Sequence, residues 1–318
     1  MWDRLTELND ALADADSVAT RVFTRPENPI VFIAAPPRTA STLFVQAVAS
    51  RFHVGYVSNV LARFYKAPYF GALLERELLT NASSFVSTFQ SSYGNTEGPY
   101  EPHEWGWFWK SWLGLTGDEH YCRADHIPDA AGLAAKLAAV ESVKTAPLLF
   151  DNVYAMANIS LLRKALGRVL VVHIDRDPFF VCNSILNARF KRHGDIRAWY
   201  GHRPRRIGEI LEIEDPVAQV VHQVAAIRDE TDRDLADFPE SDILRVRYED
   251  FLEEPEGAVA LFRDFLQTNG VAVAKKPTSP EFTFLTRNLP TLVNPDYGDR
   301  LKRLCRTHFP SANADRAA

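Results

Sequence analysis

The segment Ile30 to Phe52, IVFIAAPPRTASTLFVQAVASRF, constrains this chain more than any other stretch. It reads as a buried strand, a short turn of small and donor residues, and an amphipathic helix. A strand that turns straight into a helix brings unpaired N–H groups and the positive end of the helix dipole to one point, which makes an anion site. The turn itself, Pro37, Arg38, Thr39, Ala40, Ser41 and Thr42, adds three hydroxyls and a permanent cation. That donor set suits phosphate or sulfate oxygens. It holds neither glycine nor lysine, so it is not the G-x-x-x-x-G-K-[ST] loop of nucleoside triphosphatases. The plainer alternative is a turn in which Thr39 or Ser41 merely caps the helix.

Beyond this segment, short runs rich in Val and Ile alternate with helical patterns, which predicts an α/β three-layer sandwich around a central, mostly parallel sheet. Strands are expected at Ile30 to Ala34, His53 to Val57, Leu148 to Asp151, Val169 to Ile174 and Ile243 to Val246. Helices are expected at Leu133 to Lys144, Met156 to Leu166, Pro178 to Arg192, Pro216 to Leu235 and Pro255 to Leu266, several with proline near the first turn. The 318 residues are 46% hydrophobic and show no repeat or linker, so one domain over residues 1–318 is expected. Residues 68–129, rich in aromatics and weakly periodic, read as an insertion that covers the site.

Charge and cysteine usage narrow the function classes. A net charge of −5 argues against a general nucleic-acid binder, although basic residues concentrate from Arg189 to Arg206. That run reads as a solvated basic face. The acidic, helical N-terminus has no signal-peptide pattern and no apolar stretch is long enough for a bilayer, so a cytoplasmic protein without membrane partners is expected. Cys122, Cys182 and Cys305 lie far apart without metal-ligand spacing and read as buried free thiols; no metal site is expected.

The second chemical cluster is VLVVHIDRDPFFVCNSI, Val169 to Ile185. Its strand ends at Arg176, where open α/β sheets bind ligands, and the planar guanidinium suits a phosphate. Ser184 follows two helical turns further on. Alternatively, Arg176 pairs with its neighbour Asp175 or Asp177.

The loop, the R-D-P strand end with a serine beyond it, and VRYEDFLEEPEGAVALFRDFL from Val246 to Leu266 together resemble the PAPS-dependent sulfotransferases, with order and separations in agreement. The resemblance implies a P-loop-like sulfotransferase fold. It implies a loop, Pro37, Arg38, Thr39, Ala40, Ser41 and Thr42, that holds the 5′-phosphosulfate of PAPS, and it implies 3′-phosphate contacts from Arg176 and Ser184. Two departures stand out. Ala40 replaces the family's usual glycine, and Arg38 replaces a frequent lysine, so its role would be electrostatic. The implied reaction is metal-independent in-line transfer of a sulfonate to a hydroxyl or amine of a small-molecule acceptor, leaving 3′,5′-adenosine bisphosphate.

A hydroxyl acceptor needs a base, and GPYEPHEWGWFWKSWLG offers His103 and Glu104 among Trp and Phe side chains. His103 is placed slightly ahead of Glu104; both would otherwise serve a helix starting near Pro102 while the aromatics form core. Asp151 and Asn152, at another strand end, carry the same ambiguity. Arg287 lies where some sulfotransferases return a basic residue to the 3′-phosphate, but its surroundings do not match, and His222 reads as structural. The alternatives are a small-molecule kinase using Mg-ATP and a non-catalytic nucleotide-binding protein.

Overall fold

Every residue of β1 (Ile30–Ala34) is buried, yet the strand serves two separate cores. Alternate side chains of a strand point to opposite faces. Ile30, Phe32 and Ala34 accordingly enter one hydrophobic cluster, and Val31 and Ile33 enter another. A strand apolar on both faces must be covered on both, which is the origin of the three layers.

In the computed structural model, residues 2–78, 86–277, 281–282 and 294–310 are described. Around β1 the chain runs α1 (Trp2–Ala19), α2 (Ser41–Arg51), β2 (Gly55–Tyr56), α3 (Pro68–Leu78), α4 (Gly106–Trp112), α5 (Ala130–Lys144) and β3 (Leu148–Asp151). It continues through α6 (Val153–Ala157), α7 (Ile159–Leu166), β4 (Val169–Asp175), α8 (Pro178–His193), α9 (Ile207–Leu211) and α10 (Pro216–Leu235). The remaining elements are β5 (Ile243–Arg247), α11 (Tyr248–Glu253), α12 (Pro255–Thr268) and α13 (Tyr297–His308).

The five strands form one sheet in the order β2-β3-β1-β4-β5, with every pairing parallel. On one face, Phe44 and Val48 of α2 pack with Val259, Phe262 and Leu266 of α12. On the other, Phe108 and Trp109 of α4 meet Leu133 and Leu137 of α5 against Phe32 and Phe150. A third cluster joins α8, α10 and α13. Because the strands are parallel, the ends of β1, β3 and β4 emerge at one edge. The chain passes from one flank of β1 to the other between β3 and β4, so that edge carries the crevice where open α/β sheets bind ligands.

Start signals act as their chemistry requires. Asp177 accepts from Phe179 N–H at 2.9 Å and Asp215 accepts from Ala218 N–H at 2.9 Å, each just ahead of a proline that opens its helix. Two expectations need correction. The strand expected at His53 to Val57 pairs only over Gly55–Tyr56, because Phe52 instead forms an antiparallel bridge with Lys275 and His53 N–H donates to Ala274 O. The single helix expected at Met156 to Leu166 is two, α6 and α7, parted at Asn158. That side chain is buried and committed, donating to His120 O and Tyr154 O and accepting from Cys122 N–H, each at 2.8 Å.

Candidate anion and transfer site

The turn between β1 and α2 has an unusual backbone. Arg38 and Ala40 both lie in the left-handed region, with φ of 74° and 66°, which costs a residue bearing Cβ about 1–2 kcal/mol each. Ala40 is the N-cap residue of α2, and no side chain caps that helix. The capping alternative for Thr39 and Ser41 therefore does not hold. Thr39 is buried and its hydroxyl donates to Pro36 O at 2.8 Å, closing the turn from inside.

Residues far apart in sequence hold the turn in place. Arg176, at the end of β4, donates from Nη1 to Arg38 O at 2.6 Å, and Arg38 donates from Nε to Ser184 Oγ of α8 at 3.0 Å. Arg176 also lies 4.0 Å from the ring centroid of Tyr248, in the R-Y-E-D segment. Its acidic neighbours have other work: Asp175 accepts from Arg228 Nη2 at 3.0 Å, and Asp177 caps α8.

These residues line an open cleft of about 930 Å³ above the sheet edge. Of the residues singled out from sequence, Pro37, Arg38, Ala40, Ser41, Thr42, Glu104, Arg176 and Ser184 lie on its wall. Thr39 and His103 do not. Tyr93 and Tyr200 are wall residues that sequence reasoning missed. Tyr93 sits between two guanidinium groups, Arg38 at 4.9 Å and Arg192 at 4.8 Å, and meets Tyr200 edge-on at 5.8 Å. Most of the basic run is exposed, as expected of a solvated face; Arg192, itself exposed, also reaches this site, and Arg189 is the buried exception, bonded to Gln219 and Gln223. Arg287 lies outside the described residues.

Beside the cleft stand two carboxyls. Burial first, then the charge of Asp151, pushes the Glu104 carboxyl up to about 8, with Arg38 pulling the other way. Burial likewise raises Asp151, opposed by hydrogen bonds from Ser41 and Thr42. Local structure explains how Glu104 gets there. Asn152, next to Asp151, caps α6 through its oxygen and donates from Nδ2 to Glu104 O at 2.9 Å. Gly94 supplies the facing backbone. At φ +83° it takes a conformation suited to glycine, and a Cβ there would fall 2.3 Å from Glu104 Oε1.

His103 faces another way. Its Nδ1 accepts from Trp105 N–H at 2.8 Å just ahead of α4, which starts at Gly106 rather than near Pro102. Burial, then Arg63, lowers its pKa. The ring lines a second cleft, which Glu104 also lines, so Glu104 alone of the two borders both spaces. Trp105, Phe108 and Trp109 are core, as the plainer reading of the aromatic segment had it.

No cluster of three or more metal-ligating side chains occurs among the described residues, and no described helix is long and apolar enough to cross a membrane.

The profile of the Sulfotransferase family matches residues 29–269. Among solved structures, a sulfotransferase from Mycobacterium tuberculosis H37Rv is similar in fold, with a TM-score of 0.54 at 13% identity, over 95% of this chain and 81% of that one. A sulfotransferase from Alicyclobacillus acidocaldarius matches at a TM-score of 0.45 and 13% identity, over 90% and 95% of the two chains. Among curated proteins none matches.

Proposed function

The chain belongs to the sulfotransferase family, and from that premise we propose that it moves a sulfonate from PAPS to a hydroxyl of a small-molecule acceptor. One observation carries the reading: the uncapped start of α2, the Arg38 side chain and the strand-end Arg176 converge on one cleft through hydrogen bonds that join three separate segments. The donors fit an anion with two charged ends. The backbone amides at the start of α2 and the Ser41 and Thr42 hydroxyls suit the 5′-phosphosulfate, while Arg176 and Ser184 suit the 3′-phosphate.

Bound there, PAPS supplies the sulfonate: its sulfur–oxygen bond to the 5′-phosphate breaks as the acceptor oxygen bonds to sulfur, leaving 3′,5′-adenosine bisphosphate. Arg38 offsets the charge that gathers on the leaving phosphate, without donating a proton. Glu104, between the two clefts, takes the acceptor's proton. A carboxyl raised toward working pH is a more effective base than an ordinary one, which promotes Glu104 over His103 for this role. Asp151 holds the Thr42 hydroxyl, at 3.5 Å, and keeps Glu104 basic by its charge. No step calls for a metal.

The kinase alternative has one observation in its favour. A loop hydroxyl facing a carboxylate on the adjacent strand, as Thr42 faces Asp151, is how P-loop enzymes hold Mg²⁺. Calorimetric titration separates the two. The expected result is tight binding of 3′,5′-adenosine bisphosphate with a chelator present and little binding of ATP with magnesium. Arg176→Ala should weaken the bisphosphate by about 2 kcal/mol, roughly thirtyfold. Preference for magnesium ATP, or unchanged bisphosphate affinity in the variant, refutes the assignment.

A further inference from the structure

The second cleft, of about 920 Å³, meets the first at Glu104 and Gly94. Its walls combine the rings of Tyr65, Trp107 and Tyr154 with the cations Arg63 and Lys110. Trp107 is 57% exposed, whereas Trp105 and Trp109 on either side are 1% and 0% exposed. Two of these three tryptophans close the core and the third is left at the cleft, where core packing does not account for it. Tyr65 lies 6.3 Å from it, centroid to centroid, with planes 37° apart.

Charge is distributed unevenly along this wall. Lys110 Nζ donates to Gly117 O at 2.6 Å and lies 5.9 Å from the Trp107 ring and 5.6 Å from the Tyr154 ring, partners that carry no formal charge. Arg63 adds a second positive charge, close enough to act on His103. Among the described residues lining the cleft, the one carboxyl is Glu104, at its inner end. An amine-bearing acceptor would meet two like charges there, and a neutral one would leave the cations without a partner from the ligand.

Resting on the sulfotransfer reading, we propose that the acceptor is a hydroxyl compound with a flat, ring-like body and an oxyanion of its own. Its ring lies among Tyr65, Trp107 and Tyr154, its oxyanion meets Lys110 and Arg63, and its hydroxyl points to Glu104. The cations are positioned for recognition at a distance from the sulfur. They select the acceptor's far end, while Arg38 serves the transferred group.

The test needs no turnover. Calorimetry on the full chain would compare 3-(4-hydroxyphenyl)propanoate, 4-hydroxybenzylphosphonate, 4-ethylphenol and tyramine, each with and without the bisphosphate. The carboxylate should bind about tenfold more tightly than 4-ethylphenol, the yield of two partly screened charge pairs, and tyramine more weakly than both. The preference should shrink as salt is raised. Lys110→Met should remove most of the gap between carboxylate and neutral probe, and the phosphonate-to-carboxylate ratio identifies which oxyanion the cations favour. Equal affinity for charged and neutral probes, preference for tyramine, or no binding of any probe overturns the proposal. Failure of the bisphosphate alone counts against the donor assignment instead, since the probe series is read in its absence as well.

Discussion

Glu104→Gln separates chemistry from stability because this carboxyl, given the base role in the proposed function, also carries a cost from its burial. Its proton is held up to about 8, mainly by burial and then by Asp151. The sign follows from linkage. The folded state binds this proton more tightly than the unfolded chain does, so the contribution is fully present below the ordinary carboxyl range and is lost as pH rises through about 8. The full displacement from an ordinary glutamate corresponds to about 5 kcal/mol. Sharing of one charge between two coupled carboxyls, and access of water through the cleft, reduce this to about 2 kcal/mol at pH 9. Glutamine reproduces the neutral acid and never ionises. The variant should therefore match the wild type in thermal unfolding at pH 5 and exceed it by about 3 °C at pH 9. In a PAPS-dependent transfer assay it should lose about a thousandfold in kcat, the usual scale for a lost general base. For the wild type, kcat/KM should rise with pH along a limb near 8, since the ionised form is the active one. Near-normal turnover in the variant, or a stability difference independent of pH, would refute the reasoning.

Two further substitutions bear on neighbouring residues. Ala40→Gly relieves a left-handed backbone at the expense of a more flexible unfolded chain, and should stabilise by about 0.5–1 kcal/mol, a rise of about 1 °C in scanning calorimetry; a fall in Tm would show that the turn is not strained at this position. His103→Ala removes the acceptor for Trp105 N–H and should cost about 1 kcal/mol in urea unfolding, while slowing transfer by no more than about tenfold; a loss as large as that of Glu104→Gln would return the base to the histidine.

What the sequence disclosed and what it hid follow from the range of the interactions involved. The strands β1, β3, β4 and β5 and the helices α5, α8, α10 and α12 were legible because burial, proline and acidic caps act within a few residues. The donor-rich turn between β1 and α2 was legible for the same reason: its hydroxyls, cation and following helix are contiguous. Tyr93, Tyr200 and Arg192 were not, because their meeting depends on chain folding across the cleft from segments with no periodic signal. The break at Asn158 was hidden by an apolar pattern that runs through it, since its cause is three hydrogen bonds, two of them to His120 and Cys122 in the segment between α4 and α5. Glu104 and His103 are adjacent in sequence and both line the second cleft, yet Glu104 alone lines the first. Contacts from Asn152 to Glu104 O and from the Gly94 backbone beside Glu104 Oε1, both from other segments, accompany its place at the first cleft.

The missing glycine in the turn raises the question of what holds it. Two left-handed residues cost about 2–4 kcal/mol together, a cost that glycine at Ala40 would lighten. Against this stand the Thr39 bond to Pro36 O, worth about 1 kcal/mol, and the charged Arg176 bond to Arg38 O, worth about 1.5–3 kcal/mol. The two sides nearly cancel. A turn held in this way is already ordered before an anion arrives, so binding there spends little on ordering the loop. On the proposed assignment Arg176 has two tasks that cannot be separated by deletion: its charge would meet the ligand, and its hydrogen bond holds the Arg38 peptide, which lies in the left-handed region. Lysine at position 176 would keep the charge and lose the planar fork, so it should recover part of the bisphosphate affinity lost in Arg176→Ala while leaving the turn less firmly held.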